Sequence, residues 1–262
     1  MTVADSDGLY YFEGSPAAES GAIMSTQPLS SNDPTNIVSS LIHPWLKDCL
    51  LLHPACFTTV SAEIIDDRHG SDLPRRILQV RPGPDPSFVK IVHSDGLVSK
   101  YCALSHCWGP PEKRPFRTTA ENMERVISGI PIDELPRTFR EVITLVRAME
   151  IDYLWIDSLC IIQDDQQDQE TESKLMGQIY ENAFLVIAAA GSKDSTEGLF
   201  GIPRHPDLST RVPYLTSTGQ TLGHFTISVH NHLEVWPTRG PLHKRGWAAQ
   251  EWRMCFKSPA KG

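Results

Sequence analysis

The sequence predicts an open α/β sheet, mainly parallel, flanked by helices and carrying extra short β-strands. Three observations lead there. Residues 153–156 (YLWI) form a short aromatic and β-branched run that suits a buried strand. Residues 184–190 (FLVIAAA) are apolar throughout, as expected of a strand covered on both faces. A loop and a helix separate the two, and a strongly periodic helix precedes the first, which is the alternation of a parallel sheet.

The chain has 262 residues, enough for one large α/β domain or two small ones. With 40% hydrophobic and 21% charged residues it can build a sizeable core. A net charge of −8 and a pI near 5.7 argue against nucleic acid as the main partner, because phosphate binding wants a basic face. The six cysteines show no CxxC pair and read as reduced thiols of a cytoplasmic protein. The longest apolar run, 184–190, is far too short to span a bilayer, and no secretory pattern opens the chain.

Residues 1–38 are rich in Ser, Ala, Gly, Asp and Pro without apolar period, and read as a disordered leader. Residues 39–72 read as an N-terminal helix, over 44–52, and a linker. Within it Cys49, His53 and Cys56 offer three zinc-ligand types. A structural zinc wants four, so a packed helix end with buried thiols is the simpler reading. The main domain spans 73–257, with a tail at 258–262. Its first strands are expected at 76–80, 88–92 and 101–105.

Next comes His106-Cys107-Trp108-Gly109. His106 and Cys107 are adjacent, so on an extended segment they point to opposite faces, which disfavours a catalytic dyad. A short helix is expected at 120–127. After Pro136, Thr138-x-x-Glu141 reads as a capping box, and Phe139, Val142, Ile143 and Val146 follow at helical spacing. This helix and the strand at 153–156 would complete a β-α-β unit begun by 101–105.

Asp157 falls where the 153–156 strand ends, and ligands of open α/β sheets gather outside the carboxyl ends of strands. The loop beyond it carries Asp164, Asp165, Asp168, Glu170 and Glu172, the densest negative charge in the chain. A helix is expected from about Glu170, with Leu175, Met176, Ile179, Tyr180 and Ala183 as its apolar stripe. Glu170 reads as a solvated first-turn charge, whereas Glu172 sits near the apolar side. The loop at 191–198 lacks phosphate-loop spacing. Residues 203–223 read as loop with room for short strands, 225–229 as a strand, and Arg245 and Glu251 as an ion pair or part of the acidic site.

The order YCALSHCWG (101–109), LPRTFREVI (135–143), YLWIDSLCIIQDD (153–165), ESKLMGQIYENA (172–183), GLF (198–200) and RGWAAQE (245–251) resembles the fungal HET (heterokaryon incompatibility) domain. The resemblance covers about residues 74–255. His106 stands where that family usually has Tyr, Gln169 where it has Trp, and Trp252 where it has Arg. Relatives commonly continue well beyond the last motif, so the resemblance also implies a short paralogue or a piece of a longer protein. It implies an effector of non-self recognition that triggers programmed cell death, with a TIR-like, flavodoxin-like open sheet. Such a domain would work by self-association, or with another incompatibility protein. The alternative is an NAD glycohydrolase, with NAD as substrate and no bound cofactor. The catalytic candidates are Asp157, Glu172 and Glu251. The binding candidates are Ser105, Trp108, Gly109, Asp164, Arg245, Trp247 and Gln250.

If the thiols are reduced, thermal unfolding midpoints with and without reductant should coincide. A marked loss of stability in reductant would reveal structural disulfides.

Overall fold

The structure, a computed structural model, describes residues 9–10, 33–52, 70–200, 208–215, 218–229 and 242. In chain order its strands and helices are β1 (Leu9–Tyr10), α1 (Pro34–Ile37), α2 (His43–Leu52), β2 (Ser71–Asp72), β3 (Arg76–Gln79), β4 (Phe88–His93), β5 (Val98–Ser99), β6 (Tyr101–Ser105), α3 (Met123–Ser128), β7 (Ile130–Pro131), α4 (Arg137–Ala148), β8 (Tyr153–Ile156), α5 (Asp157–Cys160), α6 (Gln166–Asn182), β9 (Leu185–Ala188), β10 (Leu208–Leu215) and β11 (Thr221–Val229). A π-helical stretch, Val38–Ile42, joins α1 to α2. Among the described residues no helix is long and apolar enough to cross a membrane.

The core lies against a six-stranded sheet of order β7-β4-β3-β8-β6-β9. β6 pairs in parallel with both β8 and β9. β8–β3, β3–β4 and β4–β7 are antiparallel. The sheet is therefore mixed, which corrects the mainly parallel, flavodoxin-like expectation. The cause is connection length. β3 and β4 are joined by a short turn, which can link only antiparallel neighbours, whereas helices link β6 to β8 and β8 to β9.

β6 and β8 coincide with the expected strands and are the buried centre. Trp155, Ile156, Leu154 and all five residues of β6 are buried. Trp155 packs edge-to-face on Tyr180 of α6, with ring centroids 5.4 Å apart. Two phenols hold α6 to β6: Tyr101 donates to the Ile179 carbonyl at 2.5 Å, and Tyr180 donates to the Leu104 carbonyl at 3.2 Å. α4 buries the expected stripe of Phe139, Val142, Ile143 and Val146.

Four further expectations need correction. β9 is half-buried, not covered on both faces, because it stands at the end of the strand order with β6 as its neighbour. α6 begins at Gln166, four residues before Glu170, because the Asp165 carboxylate caps the Gln167 and Asp168 amides at 2.9 and 3.1 Å. Its inward line then runs Asp168, Glu172, Ile179 and Tyr180, and Leu175 is left 39% exposed. Residues 208–215, expected as loop with short strands at most, form one eight-residue strand paired with β11. The first helix starts at Pro34, within the stretch read as leader, and it and the π-helical stretch after it bury Ile37 and Val38 in the core.

The Thr138–Glu141 capping box does not form. α4 begins at Arg137 with Pro136 in the cap position, two residues too early for Thr138 to act as cap. Both side chains instead reach the GLF segment, 58 to 60 residues along the chain. Thr138 Oγ1 accepts from the Gly198 amide at 3.1 Å, and Glu141 Oε2 accepts from the Leu199 and Phe200 amides at 2.5 and 2.9 Å. Arg137 closes the clasp by donating to Glu141 Oε1 at 2.6 Å and to the Phe200 carbonyl at 2.9 Å. Gly198 has φ +88°, and a β-carbon there would fall 2.6 Å from Glu141 Oε2. Two of the sequence motifs are thus one structural lock.

Trp155→Ala removes the largest fully buried side chain among the described residues and should cost about 3–5 kcal/mol in a denaturant titration. An equally stable variant would contradict the burial of β8.

Candidate functional site at the carboxyl ends of the parallel strands

Three parallel strands end side by side, and each leads into a polar segment. After β6 come His106, Trp108 and Gly109; after β8 come Asp157 and Ser158; after β9 come Ser192, Asp194 and Ser195. Asp157 is 8% exposed and opens α5. Its Oδ2 accepts from the Trp108 indole at 2.9 Å, and its Oδ1 accepts from the Ser158 amide at 2.7 Å. His106 Nδ1 lies 3.8 Å from the same Oδ1, and its ring meets Phe139 edge-on at 5.0 Å. Ser105 is buried, and its carbonyl accepts from the Ala189 amide at 2.9 Å, tying the β6 and β9 exits together. The Ser158 and Ser195 hydroxyls are buried and have no hydrogen-bond partner among the described residues.

A second bracket joins the β6 and β9 exits. Lys113 donates to Asp194 Oδ2 at 2.9 Å, and Asp194 Oδ1 accepts from the Thr196 amide at 2.9 Å and hydroxyl at 2.5 Å. Burial pushes the Asp194 carboxyl up, but the Thr196 and Lys113 contacts outweigh it and hold it below the usual range.

Glu172 lies elsewhere. It is 1% exposed on the inner face of α6, and its partner is Arg76 of β3, at 3.4 Å. Arg76, itself 2% exposed, also binds Asp168 and donates from Nε to the Cys160 carbonyl at 2.7 Å. Asp168 Oδ2 further accepts from the Ile162 amide at 2.9 Å. Burial raises both carboxyls. For Asp168 the Arg76 hydrogen bond and the Ile162 amide reverse the effect and leave it lowered; for Glu172 burial prevails over Arg76, and Asp168 adds to it. Burial also pushes the Cys102 and Cys160 thiols up to about 12, which makes them poor nucleophiles at neutral pH.

The structure thus brings Ser105, Trp108, Gly109 and Asp157 together and puts Glu172 on a different set of partners. Asp164 accepts from the Ala120 amide at 2.8 Å on the exposed side of the loop. Glu251, Arg245, Trp247, Gln250 and Trp252 lie outside the described residues, as do His53, Cys56 and the Cys49 side chain. Among the described residues no group of three or more His, Cys, Asp or Glu could hold a metal ion. Sequence reasoning missed Arg76, Lys113 and Asp194. A signal existed for Arg76: an arginine at the start of an apolar strand demands a buried partner. For Asp194 the signal was its place two residues before Thr196, an arrangement that favours a side-chain-capped turn.

Fold and site define a mixed α/β domain whose carboxyl-end cluster is built from an indole, an imidazole and a carboxylate. The family model described as "Heterokaryon incompatibility protein (HET)" matches residues 101–251, and the chain belongs to that family. Heterokaryon incompatibility protein 6, OR allele, of Neurospora crassa is 32% identical over 97 residues, which cover 35% of this chain and 14% of that protein. No solved structure matches the chain.

The two buried carboxylates should respond oppositely to pH. The lowered Asp168 contributes stability above its unfolded value of 3.8, lost as pH falls through its folded value. The raised Glu172 contributes most below its unfolded value of 4.5, and that contribution is lost as pH rises through its folded value. Asp168→Asn should therefore cost about 3–5 kcal/mol at neutral pH, by leaving Arg76 without its main partner. Glu172→Gln should hold or raise stability at neutral pH and change little below pH 4.5. Urea titrations across pH 3.5–7 check this; equal losses in both variants would contradict the assignment.

Proposed function

We propose that this chain is an effector of fungal non-self recognition, in which a TIR-like HET domain triggers programmed cell death from the cytoplasm. The trigger is self-association or contact with another incompatibility protein. The observation that carries the reading is the Asp157 carboxylate, held by Trp108 at the end of a buried parallel strand inside the matched family region. A side chain there is fixed by the sheet at the edge where ligands of open α/β sheets gather. The buried hydroxyls of Ser158 and Ser195, which have no hydrogen-bond partner among the described residues, follow β8 and β9 at the same edge, where a bound molecule would complete their hydrogen bonding.

A second reading, NAD cleavage, is favoured by the half-exposed Trp108 beside that carboxylate. An indole face offers stacking to a planar base, and a carboxylate stabilises the cationic sugar formed as a glycosidic bond breaks. Asp157 is the described carboxylate best placed for this. Glu172 would have to act from within its Arg76 pair, and Glu251 remains a candidate.

Expression in a filamentous fungus tests the first reading. The parent chain should arrest growth, and Asp157→Asn should abolish the arrest with an unchanged melting temperature. Killing by Asp157→Asn would remove the carboxylate from the mechanism. Incubating purified protein with NAD, followed by product chromatography, tests the second. Turnover should fall at least about a hundredfold in Asp157→Asn; absence of turnover in the parent would leave assembly as the mechanism.

A further inference from the structure

Asp194 lies on the loop after β9, and neither its charge nor its burial is used by the reading above. It is 3% exposed, and the clasp of Thr138, Glu141 and Arg137 anchors the far end of its loop. Three donors fix its carboxylate: the Thr196 amide, the Thr196 hydroxyl and Lys113. What Asp194 touches on its other side is Gly109. That glycine has φ +80°, and a β-carbon built on it would lie 2.5 Å from Asp194 Cβ and 3.4 Å from its Cα. Asp194 therefore occupies the space where any other residue at 109 would carry its side chain. Gly109 directly follows Trp108, whose indole donates to Asp157.

We propose that Asp194 is a positioning residue for the Trp108–Asp157 pair, acting through Gly109. The locked Asp194 is a platform from the β9 loop on which the Trp108-Gly109 turn rests, and the turn aims the indole across the β6 exit at the β8 carboxylate. Lys113 sits on the same crossover segment, five residues beyond Trp108, and pulls that segment onto the platform. A left-handed glycine is needed because only a residue without a side chain can approach the Asp194 β-carbon this closely. The functional arm of the proposal rests on the reading of Asp157 as the working group; the positioning itself does not.

The test reads the Trp108 indole directly. The nitrogen–proton correlation spectrum of the intact chain carries the indole signals of six tryptophans, and Trp108→Phe assigns the relevant one. Asp157→Asn sets the scale, because a neutral amide is a weaker acceptor than a carboxylate. Asp194→Ala and Gly109→Ala should move or broaden the Trp108 signal by more than a linewidth and leave the remaining indole signals in place. Asp194→Asn keeps an acceptor for Thr196 but loses the charge facing Lys113. It and Lys113→Met should move the same signal by less, and they decide the matter if the alanine variants fail to fold. A Trp108 signal unmoved in every folded variant overturns the proposal. The loss of killing activity should rank in the same order as the signal displacement. If Asp157→Asn still kills while Asp194→Ala displaces the signal, the functional reading fails and the positioning stands.

Discussion

A guanidinium inside the core constrains much of this structure. Arg76 stands on β3, next to the central strand β8, where water does not reach it. A buried charge is tolerated only when paired and fully hydrogen-bonded. Arg76 finds those partners in the segment following β8: the Cys160 carbonyl, then Asp168 and Glu172 one helical turn apart on α6. That demand determines which face of α6 turns inward. It displaces Leu175 to the surface although an apolar stripe alone would bury it. It also draws the 160–168 loop tightly beneath the sheet, through the Cys160 carbonyl and the Ile162 amide. Asp157 opens α5, and the last residue of that helix supplies the Cys160 carbonyl that Arg76 binds.

The carboxyl ends of the parallel strands are braced from a second direction. The loop after β9 is gripped by α4 at residues 198–200 and by Lys113 at Asp194. Both grips use carboxylates that accept backbone or charged donors, which gives short, directional contacts stronger than neutral ones. Both also need a glycine with positive φ, Gly198 in one and Gly109 in the other, because the partner occupies the place of a side chain. Motifs far apart in the chain thus converge as one frame around Trp108 and Asp157.

Within that frame the chemistry divides cleanly. Asp168 and Glu172 serve the core, and their carboxyl values end up shifted oppositely because hydrogen bonds outweigh burial at Asp168 whereas burial outweighs Arg76 at Glu172. Asp157, beside a half-exposed indole and an imidazole, is the carboxylate that faces the end of the sheet where ligands collect. Cys102 and Cys160 are sealed into the core and held as thiols, away from the carboxylates, hydroxyls and imidazole of the site.

The sequence by itself determined the elements whose signal is local. β6 and β8 were legible to the residue: β8 is a short aromatic and aliphatic run, and β6 is a short apolar run bounded by the Ser94-Asp95-Gly96 turn and by Gly109-Pro110-Pro111. The α4 stripe was legible from its period, and Asp157 from its position at a strand's end. The motif order identified the family, which the match over 101–251 bears out. Tertiary structure alone decided the rest. The antiparallel half of the sheet, the edge position of β9 and the length of β10 follow from strand neighbours that no local pattern names. Thr138 and Glu141 carry a capping signature, yet they bind amides about 60 residues away, and Glu172 reaches an arginine 96 residues back. Each of these polar groups has several ways to satisfy its hydrogen bonds, and only the assembled sheet determines which partner is within reach.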